Sequence, residues 1–176
     1  MNKGRSFVFF AIVWGIGLLF ILLKGDVAPY LTLRRYNLDL PMILTAYIYL
    51  KGGSRHAGIF AFFQGLSIDV YSAGFKGLFV FLYLINLFSI FTCSKFIHLG
   101  NPRGQVLVIA IAWTVERILF FVMVITLGGS VDVKSSLSWT MLIPFLATVL
   151  FAPVFFCLFD RLGVALGGIT SENSTV

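Results

Sequence analysis

The chain has 176 residues, of which 59% are hydrophobic, 16% aromatic and only 11% charged. A soluble domain carries about 25% charged residues and leaves about a third of its unfolded-chain surface exposed, so 20 Phe do not fit inside one soluble core. The mean hydropathy of +0.99 excludes disordered, collagen-like and ordinary soluble classes. The composition therefore predicts a small polytopic membrane protein.

Thirteen Lys and Arg residues against seven Asp and Glu give a net charge of +6. The basic residues fall between hydrophobic runs, where they set topology and contact anionic headgroups, so we expect membrane lipids and no nucleic acid as partners. Cys93 and Cys157 lie inside apolar runs without a CxxC pair, and we expect neither a disulfide nor a metal there.

Six hydrophobic runs follow one another, separated by short polar joints. They are Phe7–Leu23, Leu38–Leu50, Ala57–Ala73, Gly77–Leu99, Gln105–Leu127 and Thr140–Leu158. Backbone groups in lipid must bond within their own segment or close a barrel, and these runs are too long for barrel strands, so the predicted fold is all-α with about six transmembrane helices. We expect one helical domain over residues 1–162 and a short cytoplasmic tail over residues 163–176.

The first two runs leave alternatives open. A basic start followed by an apolar run also fits a signal peptide, but no small-x-small cleavage site follows, which favours an uncleaved helix. The second run alone is too short to cross about 30 Å of hydrocarbon. Either it begins within residues 27–37, or those residues lie along the interface and the helix starts near Asp39, which would cap it ahead of Pro41. We prefer capping to a binding role for Asp39.

The polar joints predict the orientation. With the N-terminus inside, seven Lys and Arg residues fall on the cytoplasmic side and five on the other, while Arg117 lies within a span. This bias favours both termini in the cytoplasm.

Charged side chains within the runs are expected to have a structural or functional role, because inserting each one at the centre of a membrane helix costs about 3 kcal/mol of free energy. Asp69 lies in the third run, and Glu116 and Arg117 lie in the fifth. Adjacent helix positions point about 100° apart, so Glu116 and Arg117 face different directions. We expect a structural ion pair, with Arg117 reaching Asp69; a ligand or proton path and a partner contact are the alternatives.

Small residues mark a packing face on the third run. Ala57, Ala61 and Gly65 recur every four residues, which lets another helix backbone approach closely. Gly74 and Gly77 follow, and they predict a tight reversal into the fourth run, without the spacing of a phosphate-binding loop. The Phe-rich faces of the fourth and fifth runs are expected to meet lipid or a partner helix; they carry Phe79, Phe81, Phe88, Phe91, Phe120 and Phe121.

No catalytic or metal-binding pattern is apparent. His56 and His98 lie at membrane ends, and the chain has no HExxH or GxSxG motif. We therefore expect no enzymatic activity, no metal and no cofactor.

One stretch resembles a known family. Residues 58–69 (GIFAFFQGLSID), followed by Ser72, Gly74 and Gly77-Leu78, are similar to the pattern of the bacterial rod shape-determining MreD family. That family's preceding helix opens with Pro and an acidic or amide residue; here Asp39 fits, but Leu38 stands where the Pro is usual. The similarity covers about the first half of the chain, and the second half is similar only in hydropathy.

The resemblance implies a bacterial inner-membrane, non-catalytic scaffold subunit of the cell-wall elongation machinery, with a fold similar to substrate-binding subunits of energy-coupling-factor transporters. It implies an MreC-like coiled-coil protein as partner and, through it, MreB-like filaments, a RodA-like glycosyltransferase and a class B penicillin-binding transpeptidase. Gly58, Ala61, Gly65, Asp69, Gly74, Gly77 and Asp39 are then structural or partner-contact candidates. Glu116 and Arg117 match no motif of the family and are candidates because they are charged residues within an apolar run. The alternative is a vitamin-binding transporter subunit.

Overall fold

The computed structural model describes residues 11–21, 39–71, 76–98, 100–126 and 139–165. These residues form five helices and no strand, which confirms the all-α prediction. The helices are α1 (Ala11–Ile21), α2 (Leu40–Tyr71), α3 (Leu78–Ser94), α4 (Pro102–Thr126) and α5 (Trp139–Ala165). The predicted interfacial segment 27–37, Gly74 and residues 166–176 of the predicted tail lie outside the described residues.

Helix α2 contains a break at Gly53, where φ is 79° and ψ is 177°. Residues with a side chain rarely adopt this backbone conformation because it is sterically strained, whereas glycine adopts it freely. The break divides α2 into a first arm (residues 40–52) and a second arm (residues 54–71), which match the second and third hydrophobic runs.

The contacts of the two arms with α3 show that the chain reverses at Gly53. Beside the first arm, Asp39 contacts Tyr83 near the start of α3, and Tyr49 contacts Ser94 at its end. Along the second arm the order is opposite, because Gly58 approaches Leu87 and Gly65 approaches Val80. The first arm therefore runs parallel to α3, and the second arm runs antiparallel to it.

The first arm forms the centre of the bundle. All residues from Leu40 to Ile48 are buried, as is typical of a helix that is apolar on every side. Tyr47 packs against Phe156 and Phe159 of α5, with ring centroids 5.5 and 5.4 Å apart. A segment too short to span alone is thus enclosed by its neighbours.

Apolar side chains also cover the outside of the bundle. Phe88 on α3 is 66% exposed and Leu150 on α5 is 63% exposed, the reverse of the pattern in a soluble protein. Helix α4 and the segment Leu142–Val164 of α5 are long and apolar enough to cross a membrane. Among the Phe side chains expected at lipid or a partner, Phe81, Phe88 and Phe91 are exposed, and Phe79, Phe120 and Phe121 are half-buried.

Candidate functional site

Asp69 caps helix α3 from the second arm of α2. The residue at the helix start, Gly77, has φ 89° and no side chain with which to cap it. The carboxylate of Asp69, 6% exposed, accepts hydrogen bonds from the backbone N–H groups of Phe79 (3.1 Å) and Val80 (3.0 Å). These N–H groups lie in the first helical turn and have no partner within the helix, so Asp69 satisfies them and their positive dipole end stabilises its charge.

Gly65 brings the second arm against the same two residues of α3. A Cβ atom on Gly65 would lie 2.5 Å from Val80 Cα and 2.8 Å from Val80 N. Ala57 and Ala61 on this face are fully buried, which agrees with the predicted packing face. Gly58 differs, since a Cβ there would meet only Leu87 Cδ2 at 3.7 Å, an ordinary contact.

The predicted pairing of Asp69 with Arg117 is wrong. Asp69 needs no cation because the start of α3 already provides two N–H donors. Arg117 Nη2 instead lies 3.9 Å from Oδ2 of Asp39, and its guanidinium lies 5.1 Å from the Trp113 ring centroid.

Asp39 joins three further helices to the first arm. Its carbonyl accepts the first intrahelical bond of α2, from the N–H of Ile43, so its backbone stands at the expected capping position, but its carboxylate bonds other helices and does not cap α2. Its own N–H donates to Thr148 Oγ1 of α5 at 3.2 Å, and the Tyr83 hydroxyl donates to its Oδ1 at 3.0 Å. With Arg117 on α4, this 5% exposed residue is a junction of the bundle.

Glu116 faces a different partner from Arg117, as the helical geometry predicts. The Nδ2 of Asn86 on α3 donates to Glu116 Oε2 at 2.9 Å, and both side chains are buried. We call Asp39, Tyr83, Asn86, Glu116, Arg117 and Thr148 the polar network. The network links the first arm, α3, α4 and α5.

Sequence reasoning missed Tyr83, Asn86 and Thr148. Asn86 carried a detectable signal, since an amide inside an apolar run needs a partner. Tyr83 and Thr148 carried none, because Tyr and Thr are ordinary residues of apolar helices. Gln64, also buried, lies against α1, where a Cβ on Gly17 would be 2.6 Å from its Nε2.

The Gly53 end of the bundle carries a second polar group. Lys51 Nζ lies 2.9 Å from Asp160 Oδ1, and the Tyr47 hydroxyl donates to the same oxygen at 3.1 Å. Beside it, an open cleft of about 350 Å³ lies between the Gly53 break and the end of α3.

The buried polar residues connect helices to one another. Each carboxylate of the polar network contacts a group on another helix, and within the described ranges no three His, Cys, Asp or Glu side chains converge to hold a metal ion. Comparison with protein-family models, with curated proteins and with solved structures finds no match.

Proposed function

We propose that this chain is a non-catalytic scaffold subunit in the bacterial inner membrane, belonging to the cell-wall elongation machinery that maintains rod shape. One observation carries the proposal: among the described residues, the buried carboxylates Asp39, Asp69 and Glu116 each bond a group on another helix, and none of them lines the cleft that these residues form. A scaffold requires such a rigid arrangement, with its outer faces left for other proteins and lipid.

The resemblance to the MreD family supplies the identity of the machinery. The two residues of that pattern with the most specific contacts, Gly65 and Asp69, meet the same backbone segment of α3. The pattern thus has a physical basis as the joint between the second arm and α3. The proposed partners are an MreC-like coiled-coil protein and, through it, MreB-like filaments, a RodA-like glycosyltransferase and a class B penicillin-binding transpeptidase.

The proposed topology has six spans with both termini in the cytoplasm. It is supported by six helical segments among the described residues, counting α1, the two arms of α2, α3, α4 and α5. It also places the Gly53 end, with Lys51 and Arg55, on the cytoplasmic side, as the distribution of basic residues favours. Reporter fusions after Lys51 and after Lys134 are expected to lie on opposite sides of the membrane. Both reporters on one side would contradict this topology.

The alternative, a vitamin-binding transporter subunit, is less well supported. A vitamin site in that class faces the outside, whereas the cleft that the described residues form lies at the Gly53 end, which this topology places inside. The polar network at the other half of the bundle satisfies its carboxylates internally.

Depletion of the protein in its rod-shaped host separates the two functions. The scaffold function predicts rounded cells that a vitamin supplement does not rescue, and co-purification of an MreC-like protein from native membranes. Complementation with Gly58→Ala is expected to restore rod shape, whereas Gly65→Leu, which places a large side chain against Val80, is expected to fail. Normal cell shape with a growth requirement met by one vitamin would refute the proposal.

A further inference from the structure

The cleft at the Gly53 end is lined by both polar and aromatic side chains. Tyr49 and Ser94 line it with their hydroxyl oxygens 2.9 Å apart, and Ser54 and His98 also belong to the lining. Phe91 of α3 forms part of the lining. A volume of about 350 Å³ is enough for a small polar group, but the cleft is open and would leave one side of that group uncovered.

One basic side chain contacts a residue of the cleft lining, and a second basic residue is adjacent to the lining in the sequence. The Nζ atom of Lys95 lies 4.6 Å from the centroid of the Phe91 ring, which places the ammonium group at the edge of the cleft. Arg55 follows the lining residue Ser54 directly in the chain. The carboxylate described at this end, Asp160, is already paired with Lys51, so the cleft favours an anion.

An exposed apolar stripe leads away from the cleft along α3. Its members are Phe81, Leu84, Phe88 and Phe91, which lie on one face of the helix at intervals of three and four residues. Ten residues of helix rise about 15 Å, which is about half of the hydrocarbon thickness of a bilayer. The stripe therefore has the length of one leaflet, and Phe91 belongs to both the stripe and the cleft.

We propose that the cleft binds the phosphate-bearing headgroup of an anionic phospholipid, with an acyl chain along the stripe. Lys95 and Arg55 supply the charge complementarity for the phosphate, and the hydroxyl and imidazole groups of the lining supply hydrogen bonds. Basic pockets between membrane helices are a physical basis for selecting such headgroups. The inference rests on the proposed membrane embedding but not on the elongation machinery, so cell shape and lipid binding are tested separately.

The test is to titrate the full-length protein in neutral detergent with a phospholipid and to measure the bound lipid by native mass spectrometry. The probes are dioleoyl phosphatidylglycerol and dioleoyl phosphatidylcholine, which share acyl chains and differ in charge. We expect the anionic lipid to bind at least fivefold more tightly. Lys95→Gln and Arg55→Gln are each expected to weaken it about fivefold, which corresponds to about 1 kcal/mol per basic residue.

Arg161→Gln is the matched control, because it removes an exposed cation at the same end of the bundle from α5, a helix that contributes no residue to the cleft lining. It is expected to change the affinity less than twofold. Phe88→Ala tests the stripe and is expected to weaken lipid binding without changing the unfolding midpoint, since Phe88 is exposed.

Glycerol 3-phosphate and inorganic phosphate distinguish a lipid from a free phosphate compound. Neither should displace the lipid at millimolar concentration, because neither contacts the stripe. Displacement by either one together with full binding by Phe88→Ala would overturn the lipid assignment. Equal binding of the two lipids, or an Arg161→Gln effect as large as that of Lys95→Gln, would overturn the cleft as the site.

Discussion

Substituting alanine at Gly65 and at Gly58 compares one methyl group at two positions of the second arm. Both substitutions replace a helical glycine and so gain about 1 kcal/mol of helix propensity. At Gly58 little opposes that gain, because the nearest atom is Leu87 Cδ2 at 3.7 Å. At Gly65 the new Cβ would lie 2.5 Å from Val80 Cα, 2.8 Å from Val80 N and 2.9 Å from the Phe79 carbonyl oxygen.

The atoms next to Gly65 determine how much stability Gly65→Ala loses. All three are backbone atoms, which cannot rotate away as a side chain does, so α3 itself must shift. Overpacking costs about 1–3 kcal/mol, and a rigid backbone neighbour places Gly65→Ala at the upper end of that range. The shift also stretches the two hydrogen bonds from Phe79 and Val80 to Asp69. We expect Gly65→Ala to be destabilised by about 2 kcal/mol after the propensity gain, and Gly58→Ala to be stabilised by up to about 1 kcal/mol.

Reversible unfolding in mixed micelles titrated with SDS, followed by circular dichroism, measures this difference. The two variants share the helix, the residue change and the detergent, so the gap of about 3 kcal/mol between them isolates the close approach to α3. A Gly65→Ala variant as stable as Gly58→Ala would show that the second arm and α3 do not approach as closely as described.

The same titration tests the polar contacts and the break in α2. Asp69→Ala is expected to lose about 2 kcal/mol and Asp69→Asn about half of that, because the amide retains one acceptor oxygen; equal losses would exclude capping by the carboxylate. Asp39→Ala and Arg117→Ala are expected to show a coupling energy of about 1 kcal/mol in a double-mutant cycle, whereas Asp69→Ala and Arg117→Ala should be additive within about 0.5 kcal/mol. Gly53→Ala is expected to lose about 1–3 kcal/mol from backbone strain alone, since its Cβ would meet no atom within 4 Å, and Gly52→Ala is the control at a helical φ.

Local features of the sequence predicted the elements well. Hydropathy located the helices, and the polar joint before Ala57 separated two runs that the structure divides at Gly53. The spacing of small residues identified Gly65, because close packing needs a small residue at a fixed helical period.

The partners of the charged residues were not predictable in the same way. The sequence favours an ion pair between Asp69 and Arg117 only because both residues are charged and both lie in apolar runs. The donors that satisfy Asp69 are backbone N–H groups, which every residue carries and no sequence pattern marks. Asp39 and Thr148 are 109 positions apart in the chain, and only the folded arrangement shows that they meet.

The distribution of polar contacts has a consequence for assembly. In the proposed membrane embedding, lipid is as apolar as the helices, so the hydrophobic effect would not hold the bundle together, and close packing with polar contacts would have to do so. Those contacts lie between the helices: Gly65 and Asp69 at the start of α3, the polar network around Asp39, and the Lys51–Asp160 pair at the Gly53 end. The outer faces carry apolar side chains that contribute little to holding the helices together. Substitutions there, unlike those at Gly65 or Asp39, are therefore expected to alter contacts with lipid or partner helices while leaving the bundle folded.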